Sequence, residues 1–146
     1  MRYQRFASGR LQVRFESGDR IAESLVALLR AEQVGYAAAT GLGALRWVRL
    51  SYWNRETREY ETHDVDEQLE LVSLTGNTAM RDGEPALHLH VTLGRADLSV
   101  FGGHLNEAVA HPNVEIWLSP EPVPVERRVE PASGLPLMQL PETLER

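Results

Sequence analysis

The chain has 146 residues, 42% hydrophobic and 25% charged, with a formal net charge of −6. These values suit one globular domain with its own core, and they lack the basic balance of a dedicated nucleic-acid binder. There is no cysteine, and all 15 basic residues are arginine, which excludes disulfides, thiolate nucleophiles, cysteine-based metal sites, Schiff-base lysines and a phosphate-loop lysine.

No apolar run approaches the roughly 18 residues of a membrane span. Met1–Phe6 lacks an apolar signal region. The expectation is a cytoplasmic protein with no membrane contact. Leu11–Phe15 alternates apolar and polar residues and predicts a strand, broken by Ser17-Gly18-Asp19. Asp19 is then the expected N-cap of a helix running to about Gln33, with Ile21, Leu25, Leu28 and Leu29 as its buried stripe and Gly35 at its stop. Tyr36–Thr40 suits a short buried strand. Gly41 and Gly43 after it suit a tight turn or close packing, because a phosphate-binding glycine motif fails at Arg46.

Residues 45–53 and 58–63 read as two strands joined by a turn at Asn54–Thr57. A long strand over 67–80, with Leu69, Leu71 and Leu74 inward, ends at the turn signal Arg81-Asp82-Gly83-Glu84. Two strands meet around Gly94–Asp97, and Val109 with Val114–Leu118 suggests a last hairpin, with His111-Pro112 marking a turn. Residues 119–146 form a proline-rich C-terminal extension, extended over the surface, with a short strand at Val125–Val129. One helix and seven or eight hairpin-linked strands predict a single α+β domain over residues 1–146, with a mainly antiparallel sheet or sandwich.

The chemistry concentrates in His88-x-His90 and Gly102-Gly103-His104. His88 and His90 lie two apart on one strand and share a face, leaving Leu87, Leu89, Val91 and Leu93 for the core. With Arg95-Ala96-Asp97 as a three-residue loop, Gly94 pairs with Leu98, His90 faces Gly102 and His88 faces His104. All three imidazoles then lie on one side, and Phe101 and Leu105 join the leucine face. A one-residue shift would put His104 on the wrong face. Three imidazoles suit a divalent transition metal, zinc first and nickel, copper or iron as competitors. Three protein ligands leave an open position that could activate water. Asn106, Glu107 and Glu70 are candidates for contacts to the ligand histidines, and Glu107 is also a candidate general base.

The ordered set Leu74-Thr75-Gly76-Asn77, Asp82-Gly83, His88-x-His90, Gly102-Gly103-His104-Leu105 and Val114-Glu115-Ile116 resembles the plants-and-prokaryotes conserved (PPC) domain. Its prokaryotic members are described as PD1-like DNA-binding proteins. Further matches lie at Ala22–Leu25, Gly41–Ala44, Glu70-Leu71, Arg128 and Ser133–Leu135, so the likeness covers nearly the whole chain. The resemblance implies the PPC-domain fold, a homotrimer, and metal ligation by His88, His90 and His104. Plant members add AT-hook segments for DNA, which this chain lacks. The expected role is therefore regulation or binding, with a DNA or protein partner, rather than catalysis. A metal-dependent hydrolase or lyase acting on a small molecule is the alternative. The run Arg46–Arg55 interleaves arginines with aromatics, as a nucleic-acid surface or a subunit interface would.

Overall fold

The computed structural model describes residues 1–141. In chain order the described elements are β1 (Arg2–Arg5), β2 (Leu11–Glu16), α1 (Ile21–Ala31), β3 (Ala37–Asn54), β4 (Glu59–Val65), β5 (Leu69–Arg81), β6 (Glu84–Gly94), β7 (Val100–Pro120), β8 (Arg127–Val129) and β9 (Pro136–Met138). Every pairing between these strands is antiparallel, as the run of hairpin signals predicts.

Two strands organise the rest. β3 pairs with β5, β4 and β7, while β7 pairs with β2, β6 and β3. The series β3–β5–β6–β7 thus closes on itself, leaving β1 and β4 as sheet edges. Alternating apolar residues from these strands fill the interior, among them Leu45, Val48, Leu71, Leu89, Leu93, Ala108 and Ile116. Ile21, Leu25, Leu28 and Leu29 of α1 join that core, each side chain contributing about 1.5–3 kcal/mol on burial.

The sequence expectation is met in the helix stripe and in most of the strands. It fails where two apolar runs are one strand. Residues 37–40 and 45–53 are parts of the single strand β3, in which Gly41–Gly43 forms an irregularity in the pairing with β5 rather than a turn, while Tyr36 lies just before it. Likewise β7 runs unbroken through the cis His111–Pro112 peptide, so the hairpin expected over Val109–Leu118 does not exist. β3 pairs with β7 up to Ala110 and again from Val114, and β2 joins from Asn113, so the peptide is bracketed by paired strand. The helix starts at Arg20 without a side-chain cap from its own N-cap residue. Asp19 instead accepts the Glu16 amide and pairs with the N-terminus. The helix ends at Ala31 with Glu32 as its C-cap; Gln33 just beyond takes a left-handed φ of 54°, and the Val34 amide reaches back to the Leu29 carbonyl.

The tail docks through the Met80 amide, which donates to the Val125 carbonyl, before β8 and β9 pair with each other. No helix among the described residues is long and apolar enough to cross a membrane.

Candidate metal centre

β6 is pressed between two strands at unusually close range. A side chain at Gly76 on β5 would overlap the His88 carbonyl oxygen, and one at Gly102 on β7 would overlap that of Val91. Glycine at both places lets the neighbours approach, and this fixes the height and tilt of the strand that carries His88 and His90.

The β6–β7 register differs from the one the loop signal predicts. His90 faces His104, Val91 faces Gly103, Thr92 faces Gly102 and Gly94 faces Val100. The connection is therefore five residues long instead of three. It closes through Arg95 amide to Ser99 carbonyl and Leu98 amide to Arg95 carbonyl, with the Asp97 carboxylate accepting the Ser99 amide and Leu98 at a φ of 67°. The shift is by two residues, so every side chain keeps its face. His104 stands opposite His90, and His88 is one pleat further along.

The outcome is a cluster of three imidazoles. One ring nitrogen from each of His88, His90 and His104 lies within 4.8 Å of the others, and the ring centroids are 5.3, 5.4 and 5.5 Å apart. His90 is exposed, whereas His88 and His104 are half-buried. On β4, Tyr60 stacks on His104 at 5.6 Å. The cluster could hold a metal ion: each ring offers one nitrogen donor, and closing to zinc–nitrogen bonds of about 2.0–2.1 Å needs side-chain movements on the order of 1 Å.

The electrostatics disfavour the protonated forms of His88 and His104. Burial, then the His88, His90 and Arg127 charges, lowers His104 to about 4. His88 is lowered by burial, then by Arg127 and His90. The unfolded chain takes up a proton near the ordinary value of 6.5 that folded His104 refuses until about 4. Stability is thus full above that window and falls as pH drops through it. We expect the metal-free protein to lose on the order of 1–2 kcal/mol between pH 7 and pH 5, allowing for solvent screening at a half-buried ring. Urea unfolding at the two pH values checks this, and His104→Gln should flatten the difference.

The other residues singled out in the sequence lie elsewhere. Glu107 is 9% exposed, and its carboxylate accepts the Ala22 amide at 2.7 Å, the Glu23 amide at 3.2 Å and the Ala108 amide at 2.9 Å. It therefore caps the start of α1 and makes no hydrogen bond to a histidine. Asn106 accepts from the Ser51 hydroxyl at 2.6 Å. Glu70 is exposed on β5, opposite Ala44 and Gly94. None of the three joins the histidine cluster.

A residue that sequence reasoning missed does join it. Arg127 of β8 is 8% exposed. Its Nη2 donates to Asn77 Oδ1 at 2.6 Å and sits 3.3 Å from His88 Nδ1, and its Nη1 donates to the Pro136 carbonyl at 3.0 Å. Burial disfavours its charged form. In sequence, Arg127 and Arg128 look alike, and only the docked tail decides which of them turns inward.

A sequence model of the Plants and Prokaryotes Conserved (PCC) domain matches residues 4–120. Among solved structures, a candidate DNA-binding protein from Bacteroides thetaiotaomicron VPI-5482 is 27% identical, with a TM-score of 0.90 over 94% of this chain and 96% of that one. A metal-containing protein from Archaeoglobus fulgidus is 28% identical, with a TM-score of 0.84 over 96% of this chain and 99% of that one. A plant- and prokaryote-conserved protein from Pyrococcus horikoshii is 27% identical, with a TM-score of 0.84 over 97% of each chain. No curated protein matches the chain.

Proposed function

This chain belongs to the Plants and Prokaryotes Conserved (PCC) domain family, and from that premise we propose that it is a regulatory or binding protein organised around a metal ion held by His88, His90 and His104. The observation that carries this reading is the convergence of three imidazoles from β6 and β7 on one outward face. The metal-containing description of the Archaeoglobus fulgidus relative supports it. We assign zinc, because an all-imidazole set suits its preferences. Three protein ligands on a four-coordinate ion leave one position for an outside ligand.

The reading includes one domain whose C-terminal extension brings Arg127, Leu135 and Pro136 beside the histidines, and three copies of the chain in the working assembly. Untagged protein should carry about one zinc per chain, the number a single three-ligand site allows. Elemental analysis of a size-separated sample measures this, and light scattering on the same fraction gives the subunit count. A sample that carries no transition metal, and takes up none on incubation with zinc, would sink the metal reading.

The DNA-binding description of the Bacteroides thetaiotaomicron relative supports a second reading, a contact with DNA. Here the charges argue for a weak one. Eight of the fifteen arginines sit in ion pairs with carboxylates, and the net charge of −6 opposes approach to phosphate. We expect duplex affinity in the non-specific range, about 10⁻⁴–10⁻⁶ M, falling steeply with salt. Fluorescence anisotropy against salt concentration reads this directly, and nanomolar, sequence-selective binding at physiological salt is the contrary result. A hydrolase or lyase would need a general base beside the metal; the cavity that His88 and His104 share has no carboxylate among its described lining residues, and Glu23, in a second cavity beside His104, is held in an ion pair with Arg20.

A further inference from the structure

We propose that the cavity between the histidine cluster and the C-terminal tail binds a small organic carboxylate anchored by Arg127. The cavity is about 470 Å³, within the range of small-molecule sites. His88 and His104 form one side, the tail residues Leu135 and Pro136 another, and Trp53 and Tyr60 stand among its walls. Its formal charges are Arg58, Arg81 and Arg127, and neither an aspartate nor a glutamate is among its described lining residues.

Arg127 makes this arrangement unusual. It is buried, yet no described carboxylate lies within ion-pair distance of it, although eight other arginines have such a partner. Its Nε–H is buried without a hydrogen-bond acceptor. The acceptors it does have are neutral: an amide oxygen, a backbone carbonyl and an imidazole nitrogen. Buried charges are normally paired, so the missing partner points to an anion from outside. A guanidinium pairs readily with a carboxylate, Nη1 keeps one N–H beyond its bond to the Pro136 carbonyl, and the aromatic and aliphatic walls suit an apolar body on that carboxylate. Fully hydrated inorganic phosphate would gain nothing from those walls.

The inference stands on Arg127 and goes beyond the metal reading, which it also helps. A dication beside a buried guanidinium is disfavoured by like charge, and a bound anion offsets that repulsion. The two ideas fail separately, because anion binding is measured in both metal-free and zinc-loaded protein.

Calorimetric titration of the full chain with benzoate, benzyl alcohol and inorganic phosphate tests the proposal. Benzoate should bind both forms about tenfold or more tightly than benzyl alcohol, the difference expected of hydrogen bonds to a charged group. It should also bind more tightly than phosphate. Arg127→Met should weaken benzoate by a similar factor. Arg127 also ties Asn77 to Pro136, so a second variant guards against misfolding. Leu135→Glu places a negative charge in the cavity wall and should remove benzoate binding while leaving Arg127 in place. Equal affinity for benzoate and benzyl alcohol overturns the proposal. So does unchanged benzoate affinity in a folded Arg127→Met or Leu135→Glu protein. Tighter binding of phosphate overturns the carboxylate assignment. Benzoate binding that persists in protein unable to hold zinc leaves the proposal standing and removes only the metal reading.

Discussion

The chain carrying His88→Ala and His104→Ala together is expected to lose zinc while remaining folded. These two rings come from adjacent strands, and their removal leaves His90 as the one imidazole of the cluster. Loss of a partner that merely orients a metal ligand costs about 10–100-fold in affinity, so removal of two direct ligands should cost at least about 10⁴-fold. Competition against a chromophoric chelator measures such a range. The fold should survive, because the histidines occupy the outward face of β6 and β7 while Leu89, Val91, Leu93 and Leu105 face the core. Near-ultraviolet circular dichroism should therefore match the parent. Zinc affinity unchanged in a folded double variant would move the site away from this cluster. The pH dependence of metal-free stability provides a second check on the same ring. Without His104 the variant cannot show the loss expected between pH 7 and pH 5.

The faces of the strands could be read from the sequence more securely than their lengths or partners. The alternation in Leu87–Leu93 places His88 and His90 on one side whatever β6 pairs with, since the period of two is a property of the extended backbone itself. The pairing with β7 was a different matter. A three-residue loop and the observed five-residue loop differ by two in register, so both bring His104 to the histidine face, and hydrophobic pattern cannot separate them. What separates them is local: the Asp97 side chain accepting the Ser99 amide and the left-handed Leu98. The length of β3 and β7 was hidden for another reason. Gly41, Gly43 and His111-Pro112 carry the residue types of turns, and only the pairing of the residues around them carries the strand through. Arg127 was invisible because its burial depends on the route of the tail past Met80, a tertiary fact with no periodic signal.

Glu107→Ala is expected to be the most destabilising of the single substitutions considered for this chain, although Glu107 makes no hydrogen bond to the histidines. The first amides of a helix have no acceptor within the helix, and Arg20 at the N-cap position supplies no side-chain bond to them. A carboxylate from the distant strand β7 does so instead, reaching the Ala22 and Glu23 amides and the Ala108 amide of its own strand. Its charge also favours the positive end of the helix dipole, and Arg20 lies 3.6 Å away as a further partner. Alanine there would leave three backbone donors without their acceptor in a largely buried place. Loss of a cap alone costs about 0.5–2 kcal/mol, and buried unsatisfied donors add to it, so about 3 kcal/mol is expected. For a domain of this size that corresponds to a fall in Tm of roughly 6–12 °C. Glu107→Gln keeps one acceptor oxygen and should lose less than half as much. If Glu107 instead served the metal as a base or a ligand partner, the glutamine variant would change zinc affinity with little effect on stability. Comparing thermal unfolding with zinc titration for the two variants separates these cases. A stable Glu107→Ala protein with altered zinc affinity would return this glutamate to the metal centre.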